Sequence, residues 1–204
     1  MRRSLLGLLT LVAIAGLVTT SCQREATLRV TSINGGSILR SDLSDFFVYF
    51  DKVDSENITL FQVNADSVKV ELQYVEIGAG LPTWTPYEAL INKATVTFKS
   101  KLATDQPPPY QTVTIPLTQS VVADATGKTK TTFWLTVLPS AWKTVVFADF
   151  RSEDDPNQLD IVDDAEATIT LSGYDSVANR TVQAAGLLQV EFGNLYDDST
   201  RFGR

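Results

Sequence analysis

The chain has 204 residues and a formal net charge of −7, and it contains no histidine and only one cysteine. Because no imidazole is available to accept a proton, Ser-His-Asp and Cys-His nucleophile systems are excluded, as are zinc, copper and haem sites built on histidine. An acidic chain also repels the phosphates of nucleic acids, so nucleic-acid binding is not expected.

The first 22 residues have the three parts of a bacterial export signal. Arg2 and Arg3 precede a nearly unbroken apolar run at residues 5–18, which ends in Thr19-Thr20-Ser21-Cys22. The run is shorter than the roughly 20 apolar residues that cross a bilayer comfortably. A cysteine placed directly after small residues makes the segment resemble the signal of bacterial lipoproteins. In that family the chain is cut before the cysteine, which carries the lipid.

The resemblance implies a cleaved signal peptide at residues 1–21 and a lipid anchor on Cys22 in the cell envelope. The residue after the cysteine is not aspartate, which in this family implies the outer membrane. An ordinary secretory signal is the alternative, because Thr19 and Ser21 also fit a small-x-small cleavage rule. The lone cysteine favours lipidation, since exported proteins seldom keep an unpaired thiol. Residues 22–25 would then form a short linker that holds the body near the membrane.

Period-two alternation predicts strands along the first half of the body. The clearest case is residues 67–74, where one face carries Val68, Val70, Leu72 and Tyr74. Other strand-like stretches lie at 26–33, 46–53, 58–63 and 94–99. The Asn-Gly-Gly-Ser sequence at 34–37 predicts a turn, and the segment 78–86 predicts a loop that carries Trp84.

The second half continues the pattern. Residues 110–122 and 129–138 are predicted to form a hairpin, with Pro116 marking an edge or a bulge because it lacks an N–H. A single helical turn is predicted near 138–143 and a strand at 144–150. The last hairpin has Ala167, Ile169 and Leu171 on its inward face and returns at 181–192, before a polar tail at 194–204.

These observations predict an all-β fold. No apolar pattern with helical spacing extends over ten residues outside the signal, so helical crossovers and a parallel sheet are not expected. Short strands separated by turn signals favour a single antiparallel β-sandwich, immunoglobulin-like or related, over residues 26–193. An architecture of this kind does not fix a function.

Three tryptophans raise the possibility of an aromatic platform for a sugar ring. Trp84, in the loop, is its best candidate member. Trp134 stands in a predicted strand between Phe133 and Leu135, and Trp142 stands in the predicted turn, so the competing interpretation is that both rings are buried in the core. The sequence therefore offers Trp84 as a weak candidate for ligand binding.

An acidic segment offers one candidate metal site. Eight carboxylates lie between residues 149 and 166, and calcium takes six to eight oxygen ligands at flexible angles. The first-choice ligands are Asp154, Asp155, Asp160 and Asp163. The segment lacks EF-hand spacing, and runs of charge are usually solvated, so a solvated loop with no cofactor is the favoured interpretation.

The expected function is a non-catalytic binding or scaffolding role in the envelope, with an unidentified protein or glycan as partner. The alternative is a protein that acts on polysaccharides, either as a binding module or as a hydrolase that uses two carboxylates. No spacing singles out such a carboxylate pair, and the usual proton-transfer residue is missing, so an enzyme is not expected.

Overall fold

A computed structural model describes residues 25–42, 45–51, 56–77, 87–101, 110–124, 126–150 and 163–193. It contains ten strands and one α-helix in these ranges. The strands are β1 (Glu25–Ile33), β2 (Leu39–Asp42), β3 (Asp45–Asp51), β4 (Glu56–Gln62), β5 (Asp66–Ile77), β6 (Glu88–Ser100), β7 (Val113–Asp124), β8 (Thr131–Leu138), β9 (Asp163–Asp175) and β10 (Arg180–Gly193). The helix is α1 (Ser140–Phe150).

Eight of the strands form one sheet in the order β1-β5-β7-β6-β9-β10-β2, with β8 paired to β5. Strands β3 and β4 form a separate antiparallel pair. Most pairings are antiparallel, whereas β2 runs parallel to β10 and β7 runs parallel to β5. The predicted all-β fold is confirmed.

The large sheet curls, so that strands distant in the strand order face each other. The Arg180 Nη2 donates to the Ala26 carbonyl at 2.5 Å, joining β10 to β1 outside any ladder. A Cβ atom built on Gly186 would lie only 2.6 Å from the Ile33 Cδ1. The sheet therefore encloses the core between its two halves in a sandwich-like arrangement.

The core follows from period-two alternation. Val68, Val70, Leu72 and Tyr74 are buried, as their spacing predicts, because alternate side chains of a strand point to the same face. The inner residues of β9 are buried in the same way, and β9 pairs with β10 in the predicted C-terminal hairpin. The predicted turn after β1 is a single 3₁₀ turn at Asn34–Gly36.

A bulge interrupts the middle of β6. The registers with β7 and with β9 both shift between Ile91 and Lys93. Here β9 carries Gly173, where an added Cβ would meet the Leu90 carbonyl oxygen at 1.9 Å. On the other side, Pro116 lies opposite Lys93, and β7 pairs with β5 only much farther along, at Ala123 and Asp124. The predicted edge or bulge at Pro116 is confirmed.

The predicted strand at 144–150 is wrong, because this stretch belongs to helix α1. Its β-branched residues favour a strand locally. Packing decides otherwise: Trp142, Lys143 and Val146 are buried together, at a spacing that fits one side of a helix. The Lys143 N–H also donates to the Pro139 carbonyl at 3.0 Å, which closes the first turn.

The predicted hairpin between residues 110–122 and 129–138 is also wrong. Strand β8 pairs antiparallel with β5 along residues 66–72, and β7 leaves to pair with β6. The intervening turn is as compact as expected, because the Asp124 carboxylate accepts hydrogen bonds from the backbone N–H groups of Thr126, Lys128 and Thr129. Side-chain hydrogen bonds from Thr129 and Thr126, together with backbone bonds from the same residues, hold the pKa of Asp124 well below its ordinary value. The turn between β7 and β8 is therefore compact, although the two strands that flank it do not pair with each other.

Within the described ranges, no helix is long and apolar enough to cross a membrane.

Candidate functional site

Most of the predicted site residues lie outside the described ranges. This applies to the lipidation site Cys22, to Trp84, and to Asp154, Asp155 and Asp160 of the acidic segment. Among the described residues, no group of three potential metal ligands is present. The lipid anchor and the calcium site therefore stay predictions.

Asp163 is the one predicted calcium ligand that the structure describes. It begins β9 and is fully buried, and the Tyr110 hydroxyl donates to its Oδ2 at 2.5 Å. Burial and this hydrogen bond raise the pKa of Tyr110 well above its ordinary value. The Oδ1 atom is buried without a hydrogen-bond partner among the described residues. Asp163 therefore makes one structural bond, and both of its carboxylate oxygens lie in the interior of the described fold.

Trp142 lies in the core, in agreement with the interpretation that its ring is buried. Its indole is 9 % exposed, and its Nε1 donates to the Gln111 carbonyl at 2.8 Å. It packs with Phe98, Tyr110 and Phe192, with ring centroids between 4.8 and 6.2 Å apart. This ring is a structural element and is not available to a ligand.

Trp134 corrects the sequence interpretation, because its side chain is 70 % exposed. The alternation of β8 explains its position. Leu135 and Val137 are buried, so Trp134 between Phe133 and Leu135 must face outward. The same alternation was visible in the sequence and would have identified this residue.

Trp134 lies on the outer face of β1, β5 and β8, which we call the Trp134 face. Directly opposite it on β5 is Lys69. One step along the same pair of strands, the hydroxyls of Ser67 and Thr136 are 2.9 Å apart. Its described side chains are those of Thr27, Arg29, Ser67, Lys69, Glu71, Gln73, Val75, Lys130, Thr132, Trp134 and Thr136.

The charges on this face are concentrated around Glu71. Its carboxylate lies 2.9 Å from the Lys130 Nζ and 3.7 Å from the Lys69 Nζ. The hydrogen bond and charge of Lys130, with a smaller contribution from Lys69, lower the pKa of Glu71. Arg29 lies across from Gln73 on β1. The face therefore offers an exposed indole, three cations, one carboxylate and several hydroxyl and amide groups.

A second surface lies over the β6 bulge. It is an open groove of about 810 Å³ that crosses β6, β7, β9 and β10. The bulge and the absence of a side chain at Gly173 form its floor. Its described lining residues are Asn92, Lys93, Thr114, Pro116, Ser172, Gly173, Thr181, Val182 and Gln183. They supply hydroxyl and amide groups and one ammonium group.

The buried charges of the described core are bonded within the fold. The Asp66 carboxylate accepts from the Ser41 Oγ at 2.6 Å and from the Lys143 Nζ at 3.1 Å. Lys143 is 1 % exposed on its side chain, so this ion pair holds α1 against β5 in the interior. A buried charge that lost its partner would destabilise the fold strongly. These groups therefore act in folding.

Comparison with protein-family models and with curated proteins finds no match for this sequence.

Proposed function

We propose that this chain is a non-catalytic binding or scaffolding protein of the bacterial envelope, held at the outer membrane by lipid on Cys22. The observation that carries the binding role is the Trp134 face. An indole that is 70 % exposed stands on a strand whose backbone is fixed by its ladder with β5. Exposed aromatic and charged groups on a rigid scaffold are typical of recognition surfaces.

The interior supports the non-catalytic part of this proposal. The buried Lys143 is paired with the partly buried Asp66, and Asp175 is fully buried with its bonds made to Tyr74 and to backbone groups. Groups of this kind are ordinarily structural when no open cleft reaches them. The side chains of the Trp134 face can bind a ligand through van der Waals contact, ion pairing and hydrogen bonding.

The position of the anchor supports a body that sits close to the membrane. Strand β1 begins at Glu25, three residues after Cys22. At no more than about 3.5 Å per residue, three residues span at most roughly 10 Å between Cys22 and the start of the sheet. The proposed anchor therefore fixes the end of the body at which β1 begins.

Cell fractionation of a Cys22→Ser variant tests the anchor. We expect this variant to move from the membrane pellet to the soluble envelope fraction, because one lipid-bearing residue supplies the attachment. Gln23→Ala is the matched control, since it keeps the cysteine and should stay in the pellet. A Cys22→Ser chain that remains in the pellet after a high-salt wash would contradict lipidation at this residue.

A polysaccharide-binding module is the second candidate function, and the exposure of Trp134 favours it. Sugar rings stack on aromatic faces through their C–H groups, and their hydroxyls bond to neighbouring polar side chains. The Trp134 face supplies both kinds of group. In this respect Trp134 takes the place that the sequence interpretation gave to Trp84.

A further inference from the structure

We propose that the Trp134 face binds an acidic polysaccharide, with one sugar ring on the Trp134 indole and the acid groups of the polymer at Lys69, Lys130 and Arg29. This inference rests on the proposed function in its polysaccharide-binding form and names the ligand class. It is carried by the charge of the face, by its dimensions and by the isolation of its single exposed indole.

The charge of the face differs in sign from that of the chain. The chain as a whole has a net charge of −7, whereas the Trp134 face has three cations and one carboxylate. A polyanion is repelled by the body and attracted to this face, so electrostatics favours this surface over others. The sign of the face therefore selects an acidic polymer over a neutral one.

The lysines can exchange their present partner for a ligand. Lys69 and Lys130 both contact Glu71, and their side chains are about half exposed, at 49 % and 50 %. Exposed ion pairs of this kind contribute little to stability, because water and salt screen them. An incoming carboxylate or sulfate group can therefore take one ammonium while Glu71 keeps the other.

The dimensions of the face suit an extended polymer. Trp134 pairs with Lys69, and Arg29 pairs with Gln73, four residues farther along β5. At about 3.4 Å per residue, the backbone positions of these two pairs are separated by roughly 14 Å along the strand. Arg29 thus lies apart from the two lysines that contact Glu71, and this spacing matches a chain of repeating acid groups better than a single small anion.

A protein partner or a membrane fits this face less well. Among the described residues of β1, β5 and β8, Trp134 is the large apolar side chain that is exposed. One indole buries at most about 250 Å², against roughly 800 Å² on each side of a stable protein interface. A single ring is, however, sufficient to stack one sugar.

The location of Trp134 also argues against the membrane. Glu25 pairs with Ile77 at one end of β5, and Trp134 pairs with Lys69 eight residues away. At about 3.4 Å per residue, Trp134 is roughly 27 Å from the end at which the proposed anchor attaches. The face therefore extends away from the anchored end.

Affinity electrophoresis of the full-length Cys22→Ser chain tests the inference, using gels that contain polygalacturonate or alginate and gels that contain dextran. We expect the acidic polymers to retard the protein and dextran to leave its mobility unchanged. Trp134→Ala should raise the Kd at least tenfold. The double variant Arg29→Gln, Lys69→Gln should raise the Kd several-fold and should make the remaining binding less sensitive to salt.

Matched variants separate recognition from folding. Tyr174 is an exposed aromatic residue outside the Trp134 face, at 44 % exposure, so Tyr174→Ala should bind like the unmodified chain. Trp134→Phe keeps a ring and should retain part of the affinity. Because Trp134 is exposed, all of these variants should have the same urea midpoint.

Three results would overturn the inference. They are equal retardation by dextran, retardation that Trp134→Ala leaves unchanged, and flotation with phosphatidylglycerol vesicles in the absence of any retardation by the acidic polymers. None of them depends on where the Cys22→Ser chain is found in the cell. A failed glycan test therefore leaves the anchor test standing, and the reverse also holds.

Discussion

At the scale of single residues, Asp175 is a fully buried carboxylate with hydrogen-bond partners on two elements. Its Oδ2 accepts from the Tyr74 hydroxyl across the fold, and its Oδ1 accepts from the N–H groups of Val177 and Ala178 at 2.9 and 2.8 Å. The Arg180 Nε lies 3.9 Å from the Oδ2. The carboxylate thus fixes the β9–β10 turn and joins it to β5.

This arrangement predicts a loss of stability at alkaline pH. Burial, and then the bond to Asp175, raise the pKa of Tyr74 to about 12. The unfolded chain ionises this phenol first, near pH 10, so the stabilisation is complete below pH 10 and is lost as pH rises to about 12. Over this window it falls by about 1.4 kcal/mol per pH unit.

Urea midpoints measured from pH 9 to pH 11.5 check this prediction. Tyr74→Phe should be less stable at pH 9 but should lose stability less steeply above pH 10, since it has no phenol to ionise there. Lysines titrate in both chains and cancel in the comparison. Parallel curves for the two proteins would show that Tyr74 ionises at its ordinary pH in the folded state.

Some single-residue features were predictable from the sequence and others were not. Burial of Val68 and Val70, and the outward position of Trp134, follow from alternation, which is a local property. The bond from Tyr110 to Asp163 joins residues 53 positions apart. No local pattern contains such a contact, because it exists only once β9 and the start of β7 are brought together.

At the scale of elements, the β6 bulge explains why β9 has a glycine at position 173. The extra residue of a bulge pushes the backbone of its strand toward the neighbouring strand. In this sheet the Leu90 carbonyl oxygen occupies the space that a Cβ at Gly173 would need. The bulge and Gly173 therefore form one structural feature.

Two glycine variants test this conclusion. Gly173→Ala should cost about 2–3 kcal/mol of unfolding free energy, because the obstructing atoms belong to backbone and cannot rotate away. Gly186→Ala is the matched control: its Cβ would meet the side-chain ends of Ile33 and Val30, which can shift. We expect a cost of about 1 kcal/mol or less there. Equal urea midpoints for the two variants would contradict this account.

Helix α1 shows why element types cannot always be read locally. The run Thr144-Val145-Val146 has the composition of a strand, and a strand was predicted for it. The helix is held by contacts made far along the chain, such as the ion pair from Lys143 to Asp66, 77 residues apart. Tertiary packing overrode propensity at this position.

At the scale of the whole molecule, the strands were predictable and their order was not. Alternation located most of the described strands, whereas the pairing of β8 with β5 contradicted the expected hairpin. Pairing depends on which hydrophobic faces meet across the core, and sequence neighbours have only a statistical advantage. The Trp134 face, which β1, β5 and β8 assemble, depends on that order and could not be predicted from the sequence.

The acidic segment yields a test on the folded protein. We expect the same Tm in EDTA and in millimolar calcium, because runs of carboxylates are usually solvated. A ligand that binds only the folded state would raise Tm in a saturable way. A rise of that kind, removed by Asp154→Asn with Asp155→Asn, would establish the calcium site instead. Asp163→Asn is a less specific variant, since Tyr110 also bonds to Asp163.

The three pairings of β5 have a consequence for how the chain folds. Strand β5 pairs with β1, which precedes it, and with β7 and β8, which follow it. The edge strand β2 pairs with β10, the last strand of the sheet in sequence. It can join the sheet only after β10 is available, since Arg40 and its partner Glu191 are 151 residues apart. Such distant pairings make folding slow and leave strand edges open until the last strand is available. The β3–β4, β6–β7 and β9–β10 pairs join consecutive strands and can form early, whereas the rest of the sheet stays open to aggregation until the C-terminal hairpin is available.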